Sequence, residues 1–296
     1  MNRFSVCAAA LVAVASGAAQ AHGIAGDRVF PPTLTIDDPA VGDELSLPTF
    51  STLHNGAAAD GSAPGNREFD LGGEWDKTIT EHLGVSINLD YTRLLQDGGG
   101  SVAGWQDVVL GLKYQAYVNP EHEFMASVGV VRDLGGTGAA GVVTNGGVGS
   151  TTPTVYVGKG LGDLPIGALR PLAVTGVAGY QVSDQSNVSS NQWNVGWSLQ
   201  YSIPYLQQHV KDLGLPAVIA GLTPLVEVNL AIPTAAGAQT TGTIAPGLLY
   251  DADTWQLGIE ALIPATHATH TGIGMIAQLH FFLDDLFPAS LGKPLF

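Results

Sequence analysis

The segment Trp193-Asn194-Val195-Gly196-Trp197-Ser198-Leu199-Gln200-Tyr201-Ser202-Ile203 carries an apolar or aromatic side chain at every odd position. Successive side chains of a β-strand point to opposite faces, so such a run has one apolar face and one polar face. Val85-Ser86-Ile87-Asn88-Leu89-Asp90-Tyr91-Thr92 alternates in the same way. Similar patterns, with small or apolar exceptions, cover 69–75, 108–116, 124–130, 226–230, 255–263 and 273–281. Strands of soluble sandwiches usually run about 5–6 residues, whereas strands that cross a bilayer need about 9–11. Several of these runs reach the longer value.

The alternation predicts strands near 45–54, 67–79, 84–94, 105–117, 122–133, 152–160, 170–181, 191–204, 218–231, 241–251, 254–263 and 272–283. Long connections rich in Gly, Ala, Ser and Thr follow the odd-numbered strands: 55–66, 96–104, 134–151, 182–190, 231–240 and 264–271. Most connections after even-numbered strands are short, such as 81–83, 119–121 and 252–253; the exception, 205–215, suits a short periplasmic helix. Outer-membrane barrels show this asymmetry, with short periplasmic turns and long external loops. Trp75, Tyr91, Trp105, Tyr117, Tyr180, Trp193, Tyr250 and Trp255 fall near predicted strand ends, where an amphipathic ring prefers the lipid–water boundary. The expected fold is therefore all-β: a transmembrane antiparallel up-and-down β-barrel of about twelve strands.

Composition agrees. Only 12% of residues are charged, against about 25% in an average soluble domain. The chain holds 26 Asp plus Glu against 11 Lys plus Arg, the wrong sign for a nucleic-acid partner. The best candidate for a spanning helix, 214–233, contains Pro216, Pro224, Glu227 and Asn229. Proline inside a helix costs about 3 kcal/mol, so closed sheet is the remaining way across lipid.

The beginning of the chain reads as an export signal. Met1-Asn2-Arg3 is positively charged, residues 4–16 are apolar, and Ala19-Gln20-Ala21 has the small-x-small pattern cut by signal peptidase. The expected domains are a signal peptide over 1–21, an N-terminal periplasmic arm or plug over 22–43, and a barrel over 44–296 with a short C-terminal tail. Cys7, the only cysteine, lies within the signal and lacks a lipobox before it. The mature chain then has no disulfide, Cys-type zinc site or Cys nucleophile. The last alternating strand ends near Leu283, short of the aromatic terminus Phe296.

The stretch Gly104-Trp105-Gln106-Asp107-Val108-Val109-Leu110-Gly111-Leu112-Lys113-Tyr114 resembles the G-x-x-D-V-x-L-G-x-K-Y strand of outer-membrane proteins grouped with the meta-pathway of phenol degradation. Gly158-Lys159-Gly160-Leu161-Gly162-Asp163-Leu164-Pro165 with Leu169-Arg170-Pro171 looks like another element of related transporter barrels. The resemblance extends from about residue 67 to the C-terminus. It implies an outer-membrane channel or transporter for small, often hydrophobic, molecules, and it supplies no catalytic residue.

The polar face of the strands gives the candidate pore lining: Glu68, Asp70, Glu74, Asp76, Asp90, Asp107, Lys113, Glu227, Glu260 and His280. An acidic lining favours cations, though a barrel interior must be polar simply to hold water. Enzymatic readings are weak: His267 and His270 have no Gly-x-Ser-x-Gly nucleophile elbow to serve, and two histidines in a loop have no fixed metal geometry. His22, as a mature N-terminus, would offer its α-amine and ring nitrogen to copper and is the sharper metal candidate; no other cofactor is expected. The competing reading is a binding or metal-handling protein that works through the 22–43 arm and uses the barrel as an anchor. Expected partners are outer-membrane lipid, the barrel-assembly machinery and a small-molecule solute.

Overall fold

In the computed structural model, which describes residues 23–57, 64–269 and 271–296, the alternating segments form one closed antiparallel sheet. A hairpin of β1 (Gly23–Ala25) and β2 (Arg28–Phe30) precedes it. The barrel strands are β3 (Glu44–Asn55), β4 (Asn66–Thr80), β5 (Leu83–Gln96), β6 (Ser101–Trp105), β7 (Val109–Asn119), β8 (Phe124–Asp133) and β9 (Ser150–Gly160). They continue as β10 (Leu172–Ser183), β11 (Gln192–Tyr201), β12 (Leu222–Pro233), β13 (Thr241–Asp251), β14 (Trp255–Pro264) and β15 (Thr271–Phe282). Consecutive strands pair, and β15 closes the ring on β3. β6 and β7 both pair with β5, β6 from Tyr91 to Leu95 and β7 from Leu83 to Asn88, so together they make one stave. Twelve staves result.

The predicted strand over 105–117 is thus broken at Gln106-Asp107-Val108. The loop 134–149 fills the break: the Ala139 amide donates to the Trp105 carbonyl, and the Leu134 amide to that of Val108. The strand predicted over 218–231 starts at Leu222, because Ala217–Ala220 form a helical turn behind Pro216. The strand expected to run to 204 ends at Tyr201, where the Ser202 hydroxyl accepts from the Tyr205 amide. Ser at a helix N-cap with Pro in the first turn is a start signal that overrides alternation.

Parity sorts the wall. Leu71, Trp75, Val85, Leu89, Leu112, Val128, Val155, Leu199, Leu257 and Ile259 are exposed on the outside, while Thr175, Ser198 and Gln256 are buried on the inside. Rings cluster at both rims: Tyr91–Trp105 and Tyr180–Trp193 toward the long loops, Tyr117–Phe124 and Tyr250–Trp255 toward the short turns. An apolar belt between two aromatic girdles is the surface that lipid requires. Leu89 is 43% exposed, whereas neighbouring Asn88 lines an interior cavity. Leu89→Arg is expected to impair assembly by about 2–4 kcal/mol, and Asn88→Arg far less; equal folding yields of the two variants in lipid vesicles would contradict the assignment of faces.

Residues after β15 turn back along the barrel end. The Leu283 amide donates to the Asp43 carbonyl, and the Leu295 and Phe296 amides donate to those of Thr78 and Ile79. The aromatic terminus therefore sits against the end of β4 rather than on a final strand.

Candidate functional site

Residues 31–43 pass through the barrel interior as a strap. At its start, Arg28 is fully buried. Its guanidinium donates to Glu123 at 3.2 Å and to the carbonyls of Pro171 and Arg170 at 3.1 and 2.5 Å, and lies 3.8 Å over the Tyr205 ring. The Tyr205 hydroxyl donates to Glu123 at 2.7 Å, and burial pushes that hydroxyl up to about 12, so it stays a donor. Gly26 makes the hairpin turn with φ +66°, and a Cβ there would lie 2.2 Å from the Pro120 carbonyl oxygen; only glycine allows both the conformation and the approach.

From this anchor the strap first follows one wall. Gln256 donates to the Pro32 carbonyl at 2.7 Å, Leu34 packs on Gly258, and Ile36 packs on Gly196. It then crosses to the opposite wall. Lys113 donates to Asp37 at 2.6 Å and to the Asp38 carbonyl at 3.0 Å, Ser127 donates to the Pro39 carbonyl, and Val41 packs on Gly84. The far end is fixed by Asp43, which accepts from Lys77 Nζ at 2.5 Å and from the Thr78 amide at 3.0 Å. The strap is therefore tethered at both ends and spans the lumen between β11–β14 and β5–β9. A small apolar core of Ala25, Phe30, Ala40, Met125 and Ala173 packs its root.

Two cavities border the strap. One, of about 610 Å³, is walled by the luminal faces of β3, β4, β5 and β7. Glu68, Asp70, Glu74, Asp76, Asp90, Lys113 and His280 all line it. Asp70 accepts from Ser51 at 2.7 Å and from Thr92 at 2.6 Å, Glu68 accepts from Asn55 at 2.6 Å, and the Asp90 carboxylate lies over Gly72. Lys113, 4.8 Å above the Tyr156 ring, is the only Lys or Arg among the described lining residues and is already paired with Asp37 of the strap. His280 is bound to Ser46 at 2.8 Å, with Glu44 3.2 Å from its other ring nitrogen. The second cavity, of about 640 Å³, is neutral for most of its surface, with Thr152, Thr154, Gln181, Asn194 and Thr243 among its lining. Thr35, Ile36 and Asp37 at the strap's apex border both.

Three predicted lining residues lie elsewhere. Asp107 is buried in the break between β6 and β7, where it accepts from the Gly138 amide at 2.7 Å and holds loop 134–149. Glu227 and Glu260 face inward but are covered by the strap, with the Thr35 amide and hydroxyl donating to Glu227 at 2.7 and 2.6 Å. His22, His270 and the expected signal segment lie outside the described residues. Among the described residues no group of three or more His, Cys, Asp or Glu side chains is close enough to hold a metal ion. Sequence reasoning did not find Thr35, Asp37, Asp43 or Lys77; the run Ile36-Asp37-Asp38-Pro39, beside a barrel with few luminal cations, was the available signal.

No family model matches the chain, and no curated protein matches it either. Solved structures do. The COG4313 outer membrane channel from Pseudomonas putida F1 superposes with a TM-score of 0.55 at 14% identity, covering 86% of this chain and 99% of that one. The KdgM porin gives a TM-score of 0.47 at 9% identity, over 79% of this chain and 97% of that one. LpxR from Salmonella typhimurium gives 0.40 at 9% identity, over 81% and 99%. At these identities the first likeness supports the fold, a twelve-stave outer-membrane type of barrel.

Proposed function

We propose that this protein is an outer-membrane channel for small molecules that favours cationic solutes and rests with its strap across the lumen. The observation that carries the reading is the acidic wall of Glu68, Asp70, Glu74, Asp76 and Asp90, which faces a single luminal lysine across an open cavity of about 610 Å³. Carboxylates on one side of a low-dielectric tube focus a negative potential along it, which enriches cations and depletes anions. The resemblance of Gly104-Trp105-Gln106-Asp107-Val108-Val109-Leu110-Gly111-Leu112-Lys113-Tyr114 to transporter barrels of the phenol-degradation meta-pathway type supports a channel for small solutes. Export by the 1–21 signal, insertion by the barrel-assembly machinery and a lipid-embedded apolar belt belong to the same reading, which requires no catalytic residue and no cofactor.

Neutralising Glu74 and Asp90 together, as Glu74→Gln with Asp90→Asn, is expected to lower the cation-over-anion permeability ratio several-fold in planar bilayers. The loss should be largest at low ionic strength, where screening is weak. A folded double variant with unchanged reversal potential would remove the acidic wall from the permeation path. The strap's contacts with both walls favour one rival, a plugged barrel that anchors a binding arm. A folded wild type that never conducts, with or without its strap, would select that rival.

A further inference from the structure

Buried polar side chains collect where the strap meets the wall of β10–β14. Glu227 and Glu260 are 0% and 1% exposed and lie within hydrogen-bonding reach of each other. Glu260 reaches along the wall because Gly247 stands opposite it; a Cβ there would lie 2.3 Å from Glu260 Cγ. Thr35 occupies only one oxygen of Glu227. The other oxygen of Glu227 and both oxygens of Glu260 accept from no amide or hydroxyl at full hydrogen-bond geometry, although the Thr33 hydroxyl lies beside Glu227 and the Leu34 amide beside Glu260. Ser198 stands directly across from Glu227 in the sheet and is fully buried, and its hydroxyl is also without a partner. Neither carboxylate has a Lys, Arg or His ion-pair partner among the described residues. Two buried carboxyls side by side must either hold a proton between them or take up a cation, and the unpaired Ser198 hydroxyl beside them supplies a neutral oxygen that a shared proton leaves unused.

We infer that Glu227, Glu260 and Ser198 form a binding site for one hard divalent cation of the calcium class, which locks the strap to the barrel wall through Thr35. Calcium takes carboxylate and neutral oxygen ligands and tolerates irregular geometry with water completing its shell. Two carboxylates balance its charge. A softer metal would need the nitrogen or sulfur donors that this set lacks. The site is separate from the acidic wall, so it stands whether or not the barrel conducts.

The test uses the full mature chain refolded into detergent free of lipopolysaccharide, so that no lipid phosphate competes for the ion. After stripping with EDTA, radiolabelled calcium is titrated by equilibrium dialysis, and heat unfolding is followed in parallel. Wild type is expected to bind about one calcium per barrel and to unfold at a higher temperature as calcium is added. Glu260→Gln should weaken binding about tenfold or more, and the milder Ser198→Ala should weaken it less, while Glu81→Gln in an exposed turn should bind as wild type does. A folded wild type without saturable binding would overturn the proposal. It would be overturned equally if Glu260→Gln bound as tightly as wild type, which would place the ion on surface acids. An EDTA-treated Glu260→Gln barrel more stable than a calcium-indifferent wild type would identify a proton-sharing carboxyl pair instead.

Discussion

A mature chain that begins at Asp43, without hairpin or strap, is expected to conduct several-fold more current per channel than the full-length protein. The strap touches both walls, at Pro32, Leu34 and Ile36 on one side and at Asp37, Pro39 and Val41 on the other. A twelve-stave barrel is wider than the side-chain-filled eight-strand case, so removing a backbone that crosses it leaves a water-filled passage. The deletion also frees Lys113 from Asp37, returning one positive charge to a wall of carboxylates. Five carboxylates still outnumber that one ammonium, so cation preference should weaken only in part and persist at the higher conductance. Because Asp43 and its partners are kept, the ring closure between β3 and β15 is retained. Single-channel recording decides it: equal conductance with and without the strap would mean that the strap does not obstruct the path.

Lys77→Met is expected to destabilise the barrel by about 3–5 kcal/mol, the usual consequence of removing one partner from a buried pair. Lys77 and Asp43 have side chains only 8% and 2% exposed, 2.5 Å apart. The ammonium also donates to the carbonyls of Leu291 and Lys293 at 3.1 and 2.7 Å, so one side chain ties together the strap's end, β4 and the C-terminal tail. Substitution leaves the Asp43 carboxylate buried with only Thr78 to solvate it. Adding Asp43→Asn should recover part of the loss, since the residual cost is that of an unpaired charge. Denaturant midpoints in detergent provide the measurement; a midpoint unchanged by Lys77→Met would show that the pair contributes nothing. The exposed pair Arg132–Asp184, 2.6 Å apart near the long loops, makes a useful contrast, because water screens it and its removal should leave the midpoint nearly unchanged.

The sequence by itself determined the barrel. Alternation in runs such as 85–92 and 193–203 is a local property of the chain, and a two-residue period has only one consequence: one face for lipid and one for the lumen. Ten or so residues per run, with long and short connections in turn, then pointed to about twelve antiparallel strands without any tertiary information. It also placed Glu68, Asp70, Glu74, Asp76 and Asp90 on the inner face. Tertiary structure alone decided which inward residues meet open space. Glu227 and Asp90 have the same parity signal, yet the strap covers one and leaves the other on a cavity. The polar face of its strand puts Asp107 in the lumen, but loop 134–149 captures its carboxylate from 31 residues away. The strap's path was equally illegible. Residues 31–43 have no periodicity, and their positions follow from single contacts between distant residues, such as Thr35 with Glu227 and Lys113 with Asp37. Periodicity reports which side of a sheet a residue faces. What waits on that side depends on how the rest of the chain fills the enclosed volume, and that is settled only when the ring closes.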